Sequence, residues 1–176
     1  MCMSPTSDQF ADELSELHDG SVSLFVTLPV LRRMMTSLEL SDRLMRFEAV
    51  IGDHLAQLDA IVGDMAMRRT RRDGDLTRLL FRSLECVRAY PESRERDDQI
   101  LGIVEEAQLF LMGSCGFALR FARQAGIDRS VHVLETSMER IASVASDLTT
   151  ATATATERFP VGEHALTSRT GVDAMA

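Results

Sequence analysis

The sequence predicts an all-α fold, an antiparallel four-helix bundle with one additional short helix. Apolar residues recur at alternating spacings of three and four through long segments, which is the period of an amphipathic helix. No segment shows the every-second-residue alternation of a strand. Prolines and glycines, among them Pro5, Gly74, Pro91 and Gly126, divide these segments into four long helices and one short one. Four long helices of this kind pack as a bundle.

The first two helices have clear apolar seams. The first begins near Ser7 as its N-cap, and Pro29 lies inside it, so we expect a kink there. Its seam is Phe10, Leu14, Leu17, Ser21, Leu24, Leu28, Leu31 and Met35. The second helix covers about residues 37–67, and its seam is Leu44, Phe47, Ile51, His54, Leu58, Ile61 and Met65. His54 is therefore predicted to lie among large apolar side chains.

The third long helix, predicted over about residues 97–124 after a short helix over 75–90, is the most apolar segment. One of its stripes is Ile100, Ile103, Ala107, Phe110, Ser114, Phe117 and Phe121, and the neighbouring stripe is Leu101, Val104, Gln108, Leu111, Cys115, Ala118 and Ala122. A helix that is apolar on two faces is either central in its own bundle or also buried against a second subunit. Small residues allow close helix approach, so we predict either a contact between helices of one chain or a dimer interface at Gly113, Cys115 and Gly116.

The last helix is predicted from about Arg129 to Thr149, with a seam from Val131 to Leu148. A Thr/Ala-rich run and a polar segment without a sustained period follow it, and this composition is typical of a disordered tail. The predicted organisation is therefore a helical bundle over residues 1–149 and a low-complexity, mostly disordered tail over 150–176.

Charge and composition exclude several classes of protein. The net charge of −8 argues against a dedicated nucleic-acid binder. The local basic cluster is interpreted as a solvated helix end, with a basic contact patch as the alternative; it comprises Arg68, Arg69, Arg71 and Arg72. The N-terminus lacks the pattern of a secretory signal, and no apolar stretch reaches the roughly 18 residues that span a bilayer.

Cysteine usage indicates the compartment. Cys2, Cys86 and Cys115 are scattered and form no CxxC pair. This pattern fits a reducing cytoplasm, and fits neither a disulfide framework nor a cysteine zinc site. We therefore expect a cytoplasmic protein with no nucleic-acid and no membrane partner.

Three stretches between about residues 10 and 149 resemble the YciE/YciF family of ferritin-like bacterial proteins. "ELHDGSVSLFVTLPVL" is similar to the family's Glu-Leu-Tyr-Asp-Ala-Glu followed by apolar residues and Leu-Pro. "SLELSDRLMRFEAVIGDHLAQLDAI" is similar to a run ending His-Val-Glu-Arg-Leu-Glu. "RDDQILGIVEEAQLFLMGSCGFALRFARQAG" matches, without a gap, a pattern centred on Glu-His-Tyr-Glu-Ile-Ala-Ala-Tyr-Gly. The resemblance implies a ferritin-like bundle, a homodimer and an association with stress responses.

The resemblance also implies a site at the bundle centre. Family members resemble ferritins in holding two metal ions between inward carboxylates and a histidine, and the imidazole position is kept as His54. The carboxylate positions are occupied here by other residues, so the comparison implies a degenerate metal site. The former metal-site positions are Ser21, Val50, His54, Gln108, Leu111 and Ile141. A shift of one helical turn in the comparison would instead restore Glu48, Glu105 or Glu139.

The chemistry of such a site explains what the replacements imply. Two buried divalent cations need several anionic oxygens together with imidazole. Apolar residues in place of carboxylates remove groups whose burial is costly without metal. We therefore expect no bound metal and a neutral His54, hydrogen-bonded to Ser21, Gln108, Ser114 or a backbone carbonyl. The alternative is that His54 remains a single-metal or haem-type ligand.

These observations predict a function without catalysis. We expect a homodimeric binding or regulatory protein with no catalytic residue and no cofactor. A protein partner is compatible with this role. One alternative is a di-iron or manganese metalloprotein, holding Fe or Mn, with oxidase or peroxide-handling activity. A second alternative is a bundle that binds an organic cofactor or apolar ligand between its helices.

Overall fold

A computed structural model of the chain describes residues 5–65 and 74–158, with side chains for 6–65 and 74–148. Within these residues it contains five α-helices and no strand: α1 (Pro5–Met34), α2 (Leu38–Asp64), α3 (Asp75–Arg88), α4 (Arg94–Ala125) and α5 (Asp128–Arg158). The predicted all-α class and helix order are confirmed. Predictions on Cys2, on the arginines between 68 and 72 and on residues 159–176 lie outside the described residues.

The four long helices form a ring in the order α1, α2, α5, α4, in which each packs against its two neighbours. The α2–α4 connection is the long one; it contains α3, which packs over α1 and α4. A bundle with a single long crossover between its second and third long helices has the ferritin-like connectivity. The predicted antiparallel ferritin-like bundle with one additional short helix is therefore confirmed.

The carboxylate of Asp97 connects the start of α4 to the turn between α1 and α2 through hydrogen bonds. Its Oδ1 accepts a hydrogen bond from the Thr36 backbone N–H at 2.8 Å. Its Oδ2 accepts from the Thr36 hydroxyl at 2.6 Å and from the Ser37 N–H at 2.9 Å. Ser37 is also the N-cap of α2, because its hydroxyl accepts from Leu40 N–H. These bonds bring the start of α4 to the end of α1, so the two helices run antiparallel.

Gly126 provides the tight turn between α4 and α5. Its φ is 69°, in the left-handed region where glycine carries no steric penalty. The Ile127 N–H donates to the Ala122 carbonyl at 3.0 Å, which satisfies an orphan carbonyl at the end of α4. The turn directs α5 back along α4.

The predicted seams of the first two helices form much of the core. Every seam residue of α1 from Phe10 to Leu31 is buried, and so is every seam residue of α2 from Leu44 to Ile61. α1 continues as one helix through Pro29 to Met34. Each fully buried leucine or phenylalanine contributes about 1.5–3 kcal/mol relative to exposure. The bundle is therefore held mainly by apolar packing.

The structure differs from two of the predictions, one on the end of α5 and one on the apolar length of α4. α5 continues to Arg158, beyond the predicted end at Thr149. The Thr/Ala-rich run that it includes contains no proline or glycine, and alanine has the highest helix propensity. α4 is long and apolar enough in composition to cross a membrane, which corrects the estimate from the sequence. It packs against α1, α3 and α5, as the core helix of a bundle does.

Candidate functional site

The predicted former metal-site positions do not all face the bundle interior. Ser21, His54, Leu111 and Ile141 are buried, and each lies on a different helix of the ring. Val50 and Gln108 are only half-buried. The buried part of the site therefore consists of one imidazole, one hydroxyl and two aliphatic side chains.

His54 is held by a serine that sequence reasoning did not identify. The His54 side chain is 1% exposed, and its Nδ1 lies 2.5 Å from the Ser137 Oγ on α5. Of the predicted partners, Ser21 instead donates to the Leu17 carbonyl at 2.7 Å, one turn back along α1. The partner of His54 is therefore none of the three predicted side chains, and it lies on α5, the neighbour of α2 in the ring. Ser137 lies four residues before the apolar seam residue Ile141, which is the signal that could have identified it.

Burial keeps the His54 imidazole neutral. The pKa of His54 is lowered to about 4, chiefly by burial and to a smaller extent by the nearby His18. The burial effect is the larger one because the charged imidazolium loses its hydration in the core. The second ring nitrogen, Nε2, has no hydrogen-bond partner within the described part of the chain. At neutral pH, His54 is therefore an uncharged group with one satisfied nitrogen.

His18 is a second buried histidine at the bundle centre, and the sequence analysis did not place it there. It is 5% exposed, and its Nε2 lies 3.0 Å from Asp59 Oδ1 on α2. Its Nδ1 lies 3.8 Å from Asp19 Oδ1. His18 is one turn beyond Leu14 and three residues before Ser21, so the helical period could have indicated an inward position. Unlike His54, it reaches a carboxylate at the edge of the bundle.

The carboxylates that a one-turn shift would restore do not converge on this site. Glu48 lies 3.5 Å from Arg32 Nε in an ion pair between α2 and α1. Glu105 is half-buried and Glu139 is exposed. No group of three or more histidine, cysteine, aspartate or glutamate side chains comes together in the described ranges. A di-metal centre needs anionic oxygens from several helices, so the residues present here do not fit one.

The predicted interface residues are separated by the geometry of α4. Gly113 is exposed and Gly116 is half-buried. Cys115 is fully buried, and burial raises the pKa of its thiol to about 12. Cys115 therefore packs in the core of its own chain, which agrees with a helix contact and corrects its assignment to a dimer interface.

Comparisons with known proteins address the fold. Neither the scan against protein-family models nor the search of curated proteins gave a match. Among solved structures, the E. coli stress protein YciF is similar with a TM-score of 0.80 and 19% identity, over 89% of this chain and 100% of that chain. YcfI of Rhodopseudomonas palustris, described as a candidate structural protein, is similar with a TM-score of 0.76 and 16% identity, over 85% and 98% of the two chains.

The chain has the YciF fold. The resemblance predicted from three helical stretches is confirmed, because the similarity spans the whole of the E. coli protein. At this level of identity the comparison establishes architecture. The chemistry has to be judged from the side chains at the bundle centre.

Proposed function

We propose that this chain is a non-catalytic ferritin-like bundle that acts as a homodimeric binding or regulatory protein, with its di-metal centre lost. One observation carries the proposal. His54 Nδ1 contacts the neutral Ser137 hydroxyl, and Nε2 has no partner in the described structure. A di-metal bundle needs carboxylates at this position between the helices. Leu111 and Ile141 fill two further positions with apolar side chains.

The buried titratable groups support the absence of catalysis. A general base acts best when its pKa lies near the working pH, and the pKa of His54 is held at about 4. A nucleophilic cysteine acts as the thiolate, and the pKa of Cys115 is raised to about 12. Neither group is suited to proton transfer or covalent chemistry at neutral pH.

The setting we propose is a cytoplasmic stress response. Its support is the YciF fold, since the E. coli protein of that fold is described as a stress protein. A bundle without a metal centre contributes through its surface, so the proposal includes a protein partner and a second copy of the chain. The proposed role needs no cofactor.

Metal analysis tests the proposal directly. The protein would be purified without chelator and its iron and manganese measured by mass spectrometry, together with His54→Ala and His132→Ala. His132 is an exposed histidine on α5 and serves as the matched control. We expect less than about a tenth of an ion per chain in all three proteins, because metal binding needs several deprotonated ligands in one place.

Two outcomes would contradict the proposal. Near-stoichiometric iron or manganese that is lost in His54→Ala and retained in His132→Ala would make the chain a metalloprotein. An absorption band beyond that of the protein itself would instead indicate a bound organic cofactor.

A further inference from the structure

We infer that the outer face of α4 binds the same face of a second copy in an antiparallel pair, with the two-fold axis at Gly113. The outer face is defined as Glu106, Leu109, Gly113, Phe117 and Arg120. The inference rests on the proposed homodimer and assigns its surface.

The outer face of α4 is exposed, apolar at its centre and open. Leu109 is 71% exposed and Phe117 is 52% exposed, although both are large hydrophobic residues. A Cβ atom added at Gly113 would meet no atom within 4 Å. The face residues follow one another at spacings of three and four, so they form one straight stripe along the helix. This stripe offers a continuous contact surface with a gap at its centre.

The order of residues along the outer face is self-complementary about Gly113. Leu109 and Phe117 lie four residues to either side of Gly113, and Glu106 and Arg120 lie seven residues to either side. A two-fold axis at Gly113 therefore places Leu109 against Phe117 of the partner subunit. It also places Glu106 against Arg120 of the partner subunit. Because the contact is isologous, each apolar pair and each ion pair occurs twice.

The glycine at the axis has a physical role in this arrangement. Helix axes usually pack about 8–10 Å apart, at a distance set by the side chains in the contact. With glycine in both helices at the crossing point, the two backbones can approach more closely. The leucine and phenylalanine on either side then come into contact. Gly116, which also has open space around its Cα, lies on the flank of the same contact.

The charged residues at the two ends of the outer face favour a second copy of the chain over a lipid membrane as its binding partner. Arg120 lies over the Phe117 ring at 5.4 Å and over the Phe121 ring at 4.7 Å, which holds its guanidinium beside the apolar centre. Glu106 makes no ion pair with any residue that the structure describes. An antiparallel pair neutralises both charges, whereas a lipid surface would bury an unpaired Glu106 beside Leu109. Within its own chain, Arg120 interacts electrostatically with Glu13.

Sedimentation velocity measures the oligomeric state that this inference requires. We expect the wild-type chain to be a dimer at about 10 μM, since a contact made by one helix pair is small and suits micromolar affinity. Gly113→Arg should raise the dissociation constant by at least about tenfold, because an arginine at the axis meets its copy with like charge. Gly63→Arg is the matched control, since Gly63 is exposed in α2 and also has open space.

Charge reversal tests the register. Glu106→Arg and Arg120→Glu should each weaken the dimer by roughly threefold to tenfold, since each places like charges opposite each other twice. The double variant reverses both partners and should return the dissociation constant to within about threefold of the wild-type value. Single variants that leave the dimer unchanged would overturn the proposed pairing.

Cysteine cross-linking separates failure of this surface from failure of the homodimer. In a Cys2→Ser, Cys86→Ser background, Gly113→Cys should form a disulfide dimer on oxidation. A mixture of Leu109→Cys and Phe117→Cys chains should also cross-link. Leu109→Cys alone should not cross-link. In the antiparallel pair the cysteines at position 109 of the two subunits are eight residues apart along the helix axis, which is roughly 12 Å at 1.5 Å per residue and beyond the reach of a disulfide.

A wild-type chain that sediments as a dimer without these cross-links would overturn the α4 surface and leave the homodimer standing. A chain that sediments as a monomer throughout the micromolar range would overturn both.

Discussion

Asp97 and His54 are buried polar side chains of the same bundle, and their surroundings differ. Asp97 is 2% exposed and accepts three hydrogen bonds, two from backbone N–H groups and one from a hydroxyl. His54 is 1% exposed and has one partner, the Ser137 hydroxyl, while its Nε2 has none in the described structure. Asp97 lies at the end of the bundle, where the start of α2 has backbone N–H groups without a partner in the helix. His54 lies between helices, where only side chains can provide a hydrogen-bond partner.

The comparison shows how this bundle distributes polarity. At a helix end, unpaired N–H groups satisfy a carboxylate and make it part of the scaffold. In the middle of four helices every backbone group is already paired, so a polar side chain must find another side chain or be neutral. This bundle holds an imidazole at its centre in the neutral form. We therefore expect Asp97 to be essential for stability and His54 to be dispensable for it.

Removing the Asp97 carboxylate should have the largest effect. Asp97→Ala leaves the Thr36 and Ser37 N–H groups without their acceptor and disconnects α4 from the α1–α2 turn. Hydrogen bonds to a charged group contribute about 1.5–3 kcal/mol each, and water replaces part of this contribution in the variant. We therefore expect the free energy of unfolding to fall by about 3–4 kcal/mol. Urea unfolding would measure it. Asp98→Ala, at the exposed neighbouring position, should change the unfolding free energy by less than about 0.5 kcal/mol.

Acidification should have the next largest effect, through His54. The pKa of His54 in the folded state, about 4, lies below the ordinary histidine value of 6.5, so the unfolded state binds more protons between these values. The associated stability is present above pH 6.5 and is lost as the pH falls through about 4. Between neutral pH and about pH 4.5 this loss is roughly 2–3 kcal/mol, at 1.36 kcal/mol per pKa unit.

The control for this pH effect is His54→Leu, which keeps every carboxylate and removes only the imidazole. Unfolding free energies of the two proteins would be compared across the pH range. Equal slopes for wild type and variant would show that His54 is not the titrating group.

Replacing the imidazole by a leucine at neutral pH should have the smallest effect. His54→Leu replaces a buried side chain that has an unsatisfied nitrogen by an apolar one of similar volume. The Ser137 hydroxyl, which loses its partner, can turn to the carbonyl one turn back on α5, so we expect a change within about 1 kcal/mol. His54→Ala, which leaves a cavity, should cost about 2–4 kcal/mol. Thermal or urea unfolding would distinguish the two. If His54→Leu lowered the free energy of unfolding as much as Asp97→Ala, the proposed difference between the two residues would be wrong.

Much of the fold could be predicted from the sequence because helix periodicity and helix-end residues are local signals. The seams of α1 and α2 lie where their spacing placed them, Ser37 caps α2 and Gly126 ends α4. The end of α5 was misjudged, since a Thr/Ala-rich composition is compatible with either a helix or a disordered segment. His54 was placed inward by the same spacing that placed Ile51 and Leu58.

The partners of these residues could not be predicted in the same way. α4 has two adjacent apolar stripes, and only packing decided that Leu111 and Cys115 face the core while Phe117 stays exposed. Ser137 meets His54 across 83 positions in sequence, and Asp97 meets Thr36 across 61. The sequence by itself determined the helices and the inward faces of α1 and α2, because each depends on neighbours within one or two turns. Only the tertiary structure decided which polar groups meet, because that depends on how separate helices are placed around the bundle.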